Sequence, residues 1–275
     1  MNRPIDLEHL FHHYAADKLR VAGELDEDAA EALAEKLYEE WADAPCPALN
    51  GSSPRAWFAR MNDGTELAQT LAAYAREGME PPALLLDRFY DVGAACAAPL
   101  EALARDDAEK PEVRAQALGL LPALDEARAV RVCEDAVRAA ARSDAFSELA
   151  AELLGERVDA AMRERLLAGY DAAPEFAQML ILEVLCNAPG DARVYAHMVE
   201  MLKNRPEQRA AASRLLGRYG DARAVEPLKA LISMSDITYF EYMELRNAVE
   251  ALGSEIEQER EFYGDPDYEY LRNLE

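Results

Sequence analysis

LLGRYGDARAVEPL, residues 215–228, joins an apolar helix end to an apolar helix start through a Gly-Asp corner. Taken alone, it is half of a helical hairpin. The pattern recurs upstream as LLPALDEARAVRVC from Leu120, LLGERVDAAMRERL from Leu153 and LCNAPGDARVYAHM from Leu185. The spacings are 33, 32 and 30 residues. In each copy an apolar pair leads and an acid sits six positions later: Glu126, Asp159, Asp191 and Asp221. Three copies continue with Ala-Arg, which places Arg128, Arg193 and Arg223 at one repeat position, whereas the second has Ala160-Ala161. Fainter copies flank these, AAPLEAL at 97–103 and EALGSE at 250–255.

A period near 30 residues is the mark of a helical-repeat array. Within each period, apolar residues fall at helical spacing, as in Leu118, Leu121 and Leu124, or Val225, Leu228, Leu231 and Ile232. Helices this short are marginal in water, and one hairpin cannot bury its apolar stripe on both sides, so each needs neighbours. The corner acid is placed to cap the second helix by accepting N–H groups of its first turn. Pro111, Pro174 and Pro206 fall where first helices should start, the position that tolerates proline best. Second helices are expected over 94–105, 126–140, 159–170, 191–203 and 221–234.

The stretch LLGRYGDARAVEPLKAL is similar to the HEAT-like repeats of bacterial α-superhelix proteins, especially the short class found in phycobilisome-lyase-type proteins. The resemblance covers roughly residues 81–255. It implies an all-α fold, an α-α superhelix or HEAT-like solenoid. It implies little about function, because such repeats serve many. The segment EEWADAPCPALNGSSPRAWF, residues 39–58, resembles a Trp–Pro–Leu-Gly–(Ser/Thr)-Pro-Arg stretch of uncharacterised bacterial helical proteins. We therefore expect an N-terminal helical cap over 1–80, repeats over 81–262 and an acidic C-terminal tail over 263–275.

Composition agrees with the fold. Of the 275 residues 51% are hydrophobic, with Ala, Leu and Glu prominent, and the alternating β-branched runs of strands are nearly absent. In the cap, helices are expected over 5–21 and 26–42, the second with Leu33, Leu37 and Trp41 on one stripe. A Pro/Gly/Ser-rich break follows, with Ser53 as N-cap and Pro54 at the first helical position. GTELAQTLAAYAREG then reads as a helix closed by Gly78.

The net charge of −24 repels phosphate backbones and anionic membrane surfaces, so neither nucleic acid nor membrane is an expected partner. A protein or peptide, particularly a basic one, is tolerated. Cys46, Cys96, Cys133 and Cys186 form no CxxC pair. Their pattern leaves disulfides open, although scattered single thiols suit a reducing cytoplasm. The first residues lack the apolar core of a signal peptide, and the most apolar run, MLILEVLC at 179–186, is short and carries Glu183. A cytoplasmic protein is expected.

No nucleophile elbow, P-loop or dinucleotide fingerprint is present. Nor is there a His-Glu dipeptide of the kind that di-iron hydroxylases built from such repeats carry. No catalytic residue and no cofactor are assigned. His9 and His13, at i and i+4 beside His12, Glu8 and Asp17, could both reach one metal ion, but zinc needs three or four ligands. Arg128, Arg193 and Arg223 could line a groove for acidic ligands. Alternatively, each could reach the corner acid of its neighbour and form a ladder that sets register. Tyr239, Phe240, Tyr242 and Met243 crowd one and a half helical turns, more than one helix can bury. Tyr239 and Tyr242, with Arg55 and Trp57 beside Phe58, are thus the expected binding anchors. The leading functional expectation is a non-enzymatic scaffold that binds a protein or peptide on the face of the second helices. The alternative is a metal-dependent or other enzyme using the N-terminal histidines and the loop at 43–55.

Overall fold

The structure is a computed structural model that describes residues 4–22, 26–256 and 260–273. Among them the regular structure is entirely helical. None of these helices is long and apolar enough to cross a membrane. The chain divides into two compact units, Met1–Cys133 with Asp144–Ala150, and Glu134–Ser143 with Ala151–Glu275.

The first unit begins with α1 (Leu7–Ala22) and α2 (Glu27–Ala42), which pack on each other. Asp6 accepts the His9 N–H at 2.9 Å and Asp26 the Ala29 N–H at 2.9 Å, so a carboxylate caps each helix. Of the expected α2 stripe, Leu37 and Trp41 are buried and Leu33 is half-buried. A tight loop follows, with Asn50 at φ 54° and Gly51 at φ 81°. Ser53 caps α3 (Pro54–Phe58) through the Ala56 N–H, with Pro54 at the first helical position. Asp63 caps α4 (Gly64–Arg76) by accepting the N–H groups of Thr65 and Glu66 at 2.8 and 3.0 Å. These bonds hold the Asp63 carboxyl below its ordinary pKa.

Next come α5 (Ala83–Val92), a tight turn over Gly93–Cys96, α6 (Ala97–Ala104) and α7 (Pro111–Leu124). Helix α4 packs on both α6 and α7, so the first 80 residues share a core with the first hairpin. Leu71, Leu100, Leu118 and Leu121 are fully buried there. Gly64 makes the approach possible: a Cβ at this position would lie 2.6 Å from the Ala95 carbonyl oxygen and 2.9 Å from Cys96 Cα.

Helices α8 (Glu126–Ala139) and α9 (Ala145–Gly155) contribute residues to both units. The second unit continues with α10 (Ala160–Ala168), α11 (Glu175–Leu185), α12 (Ala192–Asn204) and α13 (Arg209–Tyr219). It ends with α14 (Val225–Ile232), α15 (Tyr239–Ala251) and α16 (Pro266–Arg272). Pro111 starts α7, Pro174 is the N-cap of α11, and Pro206 opens the turn before α13. The expected second helices correspond to α6, α8, α10, α12 and α14. The last is shorter than expected: a tight turn over Ala222–Ala224 precedes it, and it ends at Ile232.

In LLGRYGDARAVEPL itself, Leu216 and Leu228 are fully buried on either side of the corner. Gly217 lets α13 cross α15 closely, since a Cβ there would sit 3.0 Å from Ala248 Cα. The Tyr219 hydroxyl donates to the Asp191 carbonyl at 2.9 Å and accepts the Asp191 N–H at 2.7 Å. One corner is thereby bonded to the corner before it.

Candidate functional site

The corner acids cap as expected in three copies. Asp159 accepts the Met162 N–H at 2.6 Å, Asp191 the Arg193 N–H at 2.9 Å, and Asp221 the Arg223 N–H at 3.0 Å. In the first copy the cap is Asp125, which accepts the Arg128 N–H at 3.0 Å, while Glu126 is the first residue of α8. The helix there starts one residue sooner than in the other copies.

The corner arginines neither point to open solvent nor reach the neighbouring corner acid. Each binds its own corner acid and then a side chain on the preceding second helix. Arg128 pairs with Asp125 and with Glu101 of α6. Arg193 pairs with Asp191 at 2.7 Å and with Glu164 of α10 at 2.5 Å. Arg223 pairs with Asp221 and lies over the Tyr195 ring of α12, 4.4 Å from its centroid. The second copy has no arginine at that position. Arg165, further along α10, instead clasps the buried Glu134 of α8 through Nε at 3.0 and 3.1 Å and Nη2 at 2.5 Å.

Arg193 draws the Asp191 carboxyl down from 3.8 to about 2, the side-chain hydrogen bond being the largest cause. A carboxylate depressed in the folded state stabilises above its unfolded pKa and loses that contribution as the folded carboxylate protonates. Acid titration monitored by circular dichroism should therefore show stability falling between about pH 4 and pH 2. Asp191→Asn should flatten that fall; an unchanged slope would remove Asp191 from it.

The expected aromatic anchors near residue 240 are largely occupied. Tyr242 is 3% exposed, against Phe262 at 5.0 Å between ring centroids. Tyr239 is half-buried between Phe262 and Tyr268, at 5.6 and 5.2 Å. Asp265 accepts the Tyr239 N–H at 3.0 Å, and Arg260 donates to the carbonyls of Met234 and Ser235. Residues 260–272 thus cover these rings, and Phe240 alone of the cluster is strongly exposed, at 50%.

In the first unit His9 and His13 are exposed on α1. The side chain of Asp17 lies outside the described residues. Among the described residues, no group of three His, Cys, Asp or Glu could hold a metal ion. Arg55 is held by Asp43 at 3.0 Å and Glu39 at 2.5 Å. Trp57 is half-buried and Phe58 buried. All four cysteines are buried, and none is in a disulfide. His197 lies against the Tyr170 ring, 4.1 Å between centroids.

Two clefts adjoin in the first unit, and the expected anchor Trp57, with Phe58 and part of the loop at 43–55, lines one of them. One, of about 470 Å³, is lined by Trp57, Phe58 and Met61 together with Ile5 and Thr70. The other, of about 550 Å³, is lined by Phe11, Tyr38, Trp41, Met79 and Pro82. Leu7 and Tyr74 line both. The Tyr74 hydroxyl donates to the Ile5 carbonyl at 2.7 Å, and burial pushes its pKa up to about 12. The rings of Phe11, Tyr38 and Trp41 contact one another at 5.2–5.7 Å, with Phe11 edge-on to Tyr38. Every charged lining residue is acidic: Glu66 in the first cleft, and Asp6, Glu8 and Glu80 in the second. Compared with family models, curated proteins and solved structures, the chain shows no match.

Proposed function

We propose that the chain is a non-enzymatic scaffold of HEAT-like helical hairpins that holds a protein or peptide, with a basic partner favoured by its charge. The face used is that of the second helices, α6, α8, α10, α12 and α14. The observation that carries the reading is the side-chain relay between consecutive second helices: Glu101 to Arg128, Glu134 to Arg165, Glu164 to Arg193 and Tyr195 to Arg223. Stacked hairpins require a contact of this kind to set the register of each unit on the last. The relay also occupies the corner arginines, which argues against their serving as free ligands for an acidic molecule.

The test is photo-crosslinking in a lysate of the source organism. A benzophenone side chain replaces Glu200 or Glu226 on second helices, or Glu112 or Glu175 on first helices, all four exposed. One common adduct from the second-helix positions, missing from the first-helix positions, is expected. Adducts from neither set, or equally from both, would overturn the reading.

A further inference from the structure

We infer that the aromatic cleft between α1, the C-terminal end of α2 and the loop at 78–82 receives an arginine side chain of a basic peptide. This surface is separate from the second-helix face. The cleft has the volume of a ligand site, about 550 Å³. Its wall is the ring cluster Phe11, Tyr38 and Trp41, and Tyr74 forms part of the floor, only 4% exposed.

Its electrostatics point to one class of guest. No Lys or Arg lines the cleft, whereas Asp6, Glu8 and Glu80 stand around it with exposed side chains. The nearby cations are already engaged. Arg55 is bound by Asp43 and Glu39, and Lys18 by Tyr14 and Glu40. An anionic guest would meet like charge. A neutral apolar guest would use the rings and leave the carboxylates without a role. An arginine uses both: its planar head stacks on aromatic faces and pairs with carboxylates, while its stem covers apolar wall. Lysine offers the charge without the planar face.

The chain reports on this site directly. It has two tryptophans, Trp41 lining this cleft and Trp57 lining the adjoining one. In the full chain carrying Trp57→Phe, all indole emission comes from Trp41. Titration with an acetylated, amidated oligo-arginine peptide at constant ionic strength should give a saturable change in that emission. Oligo-lysine of equal length should bind more weakly. Glu8→Gln with Glu80→Gln should raise the arginine Kd about tenfold. The remote pair Glu175→Gln with Glu207→Gln, neither on a second helix, removes the same charge from the second unit and should leave Kd within about twofold, since exposed distant charges are screened. All four glutamates are exposed, so neither double variant disturbs the core, and far-UV circular dichroism should be unchanged in both.

Equal weakening by the two double variants would show the peptide held only by the general negative field and would overturn the inference. So would calorimetric binding without a change in Trp41 emission, no binding, or oligo-lysine binding as tightly as oligo-arginine. None of these outcomes bears on crosslinking from Glu200 and Glu226, so the two readings stand or fall separately.

Discussion

Gly64→Ala should destabilise the first unit by about 2–3 kcal/mol, although alanine is the better helix former by about 1 kcal/mol. The new Cβ would lie 2.6 Å from the Ala95 carbonyl oxygen and 2.9 Å from Cys96 Cα. Both are backbone atoms of the turn between α5 and α6, so no side-chain rotation relieves the clash. Either α4 must move off α6, or the turn must shift. Gly119→Ala is the matched control. Its Cβ would meet only Leu149 Cδ2, at 3.9 Å, an ordinary contact, inside α7. It should stabilise by about 0.5–1 kcal/mol through helix propensity. Urea denaturation of both variants separates the two effects. A Gly64→Ala chain as stable as the parent would mean that α4 does not approach the turn this closely.

Arg165→Ala should cost about 2–3 kcal/mol in the second unit, for a different reason. Glu134 is 6% exposed and receives both oxygens' worth of hydrogen bonds from Arg165; Arg138 stands further off, at 3.6 Å. Removing Arg165 leaves a buried carboxylate with only Arg138 beside it, and the penalty is the desolvation that is no longer fully offset. Arg165 is itself half exposed, which keeps the loss below the range for a fully buried pair. The double replacement Glu134→Met with Arg165→Met leaves no buried charge and should return to within about 1 kcal/mol of the parent. A double-mutant cycle by urea denaturation measures the coupling. Additive losses would show that the pair contributes through packing alone.

How far the sequence could be read depends on how local each interaction is. The corner caps were legible because an N-cap acts within three residues, and Asp159, Asp191 and Asp221 sit where the apolar pattern restarts. The first corner differs because alignment on Leu120 places the cap at Glu126, whereas the adjacent acid Asp125 accepts the Arg128 N–H. The arginine partners were harder. Glu101, Glu164 and Tyr195 lie on the preceding second helix, not at its corner, and a tyrosine stands where the other two copies have a glutamate. Tyr239 and Tyr242 look like surplus aromatics in the sequence because their partners lie beyond their own helix: Phe262 at the last position of the expected repeats and Tyr268 in the expected tail. The aromatic cleft was the least legible. Phe11, Tyr38, Trp41 and Tyr74 lie on three helices with no common spacing, and only tertiary packing brings them together.

The relays of the second unit span 31, 29 and 28 residues, from Glu134 to Arg165, Glu164 to Arg193 and Tyr195 to Arg223. Closing a loop costs entropy that grows with the logarithm of its length, so the three closures are nearly equal in cost. No single step then dominates the search for the folded state, and the transition can nucleate at any of these junctions and spread to its neighbours. Low contact order of this kind favours fast folding, and it leaves the end of the chain free to open without opening the middle.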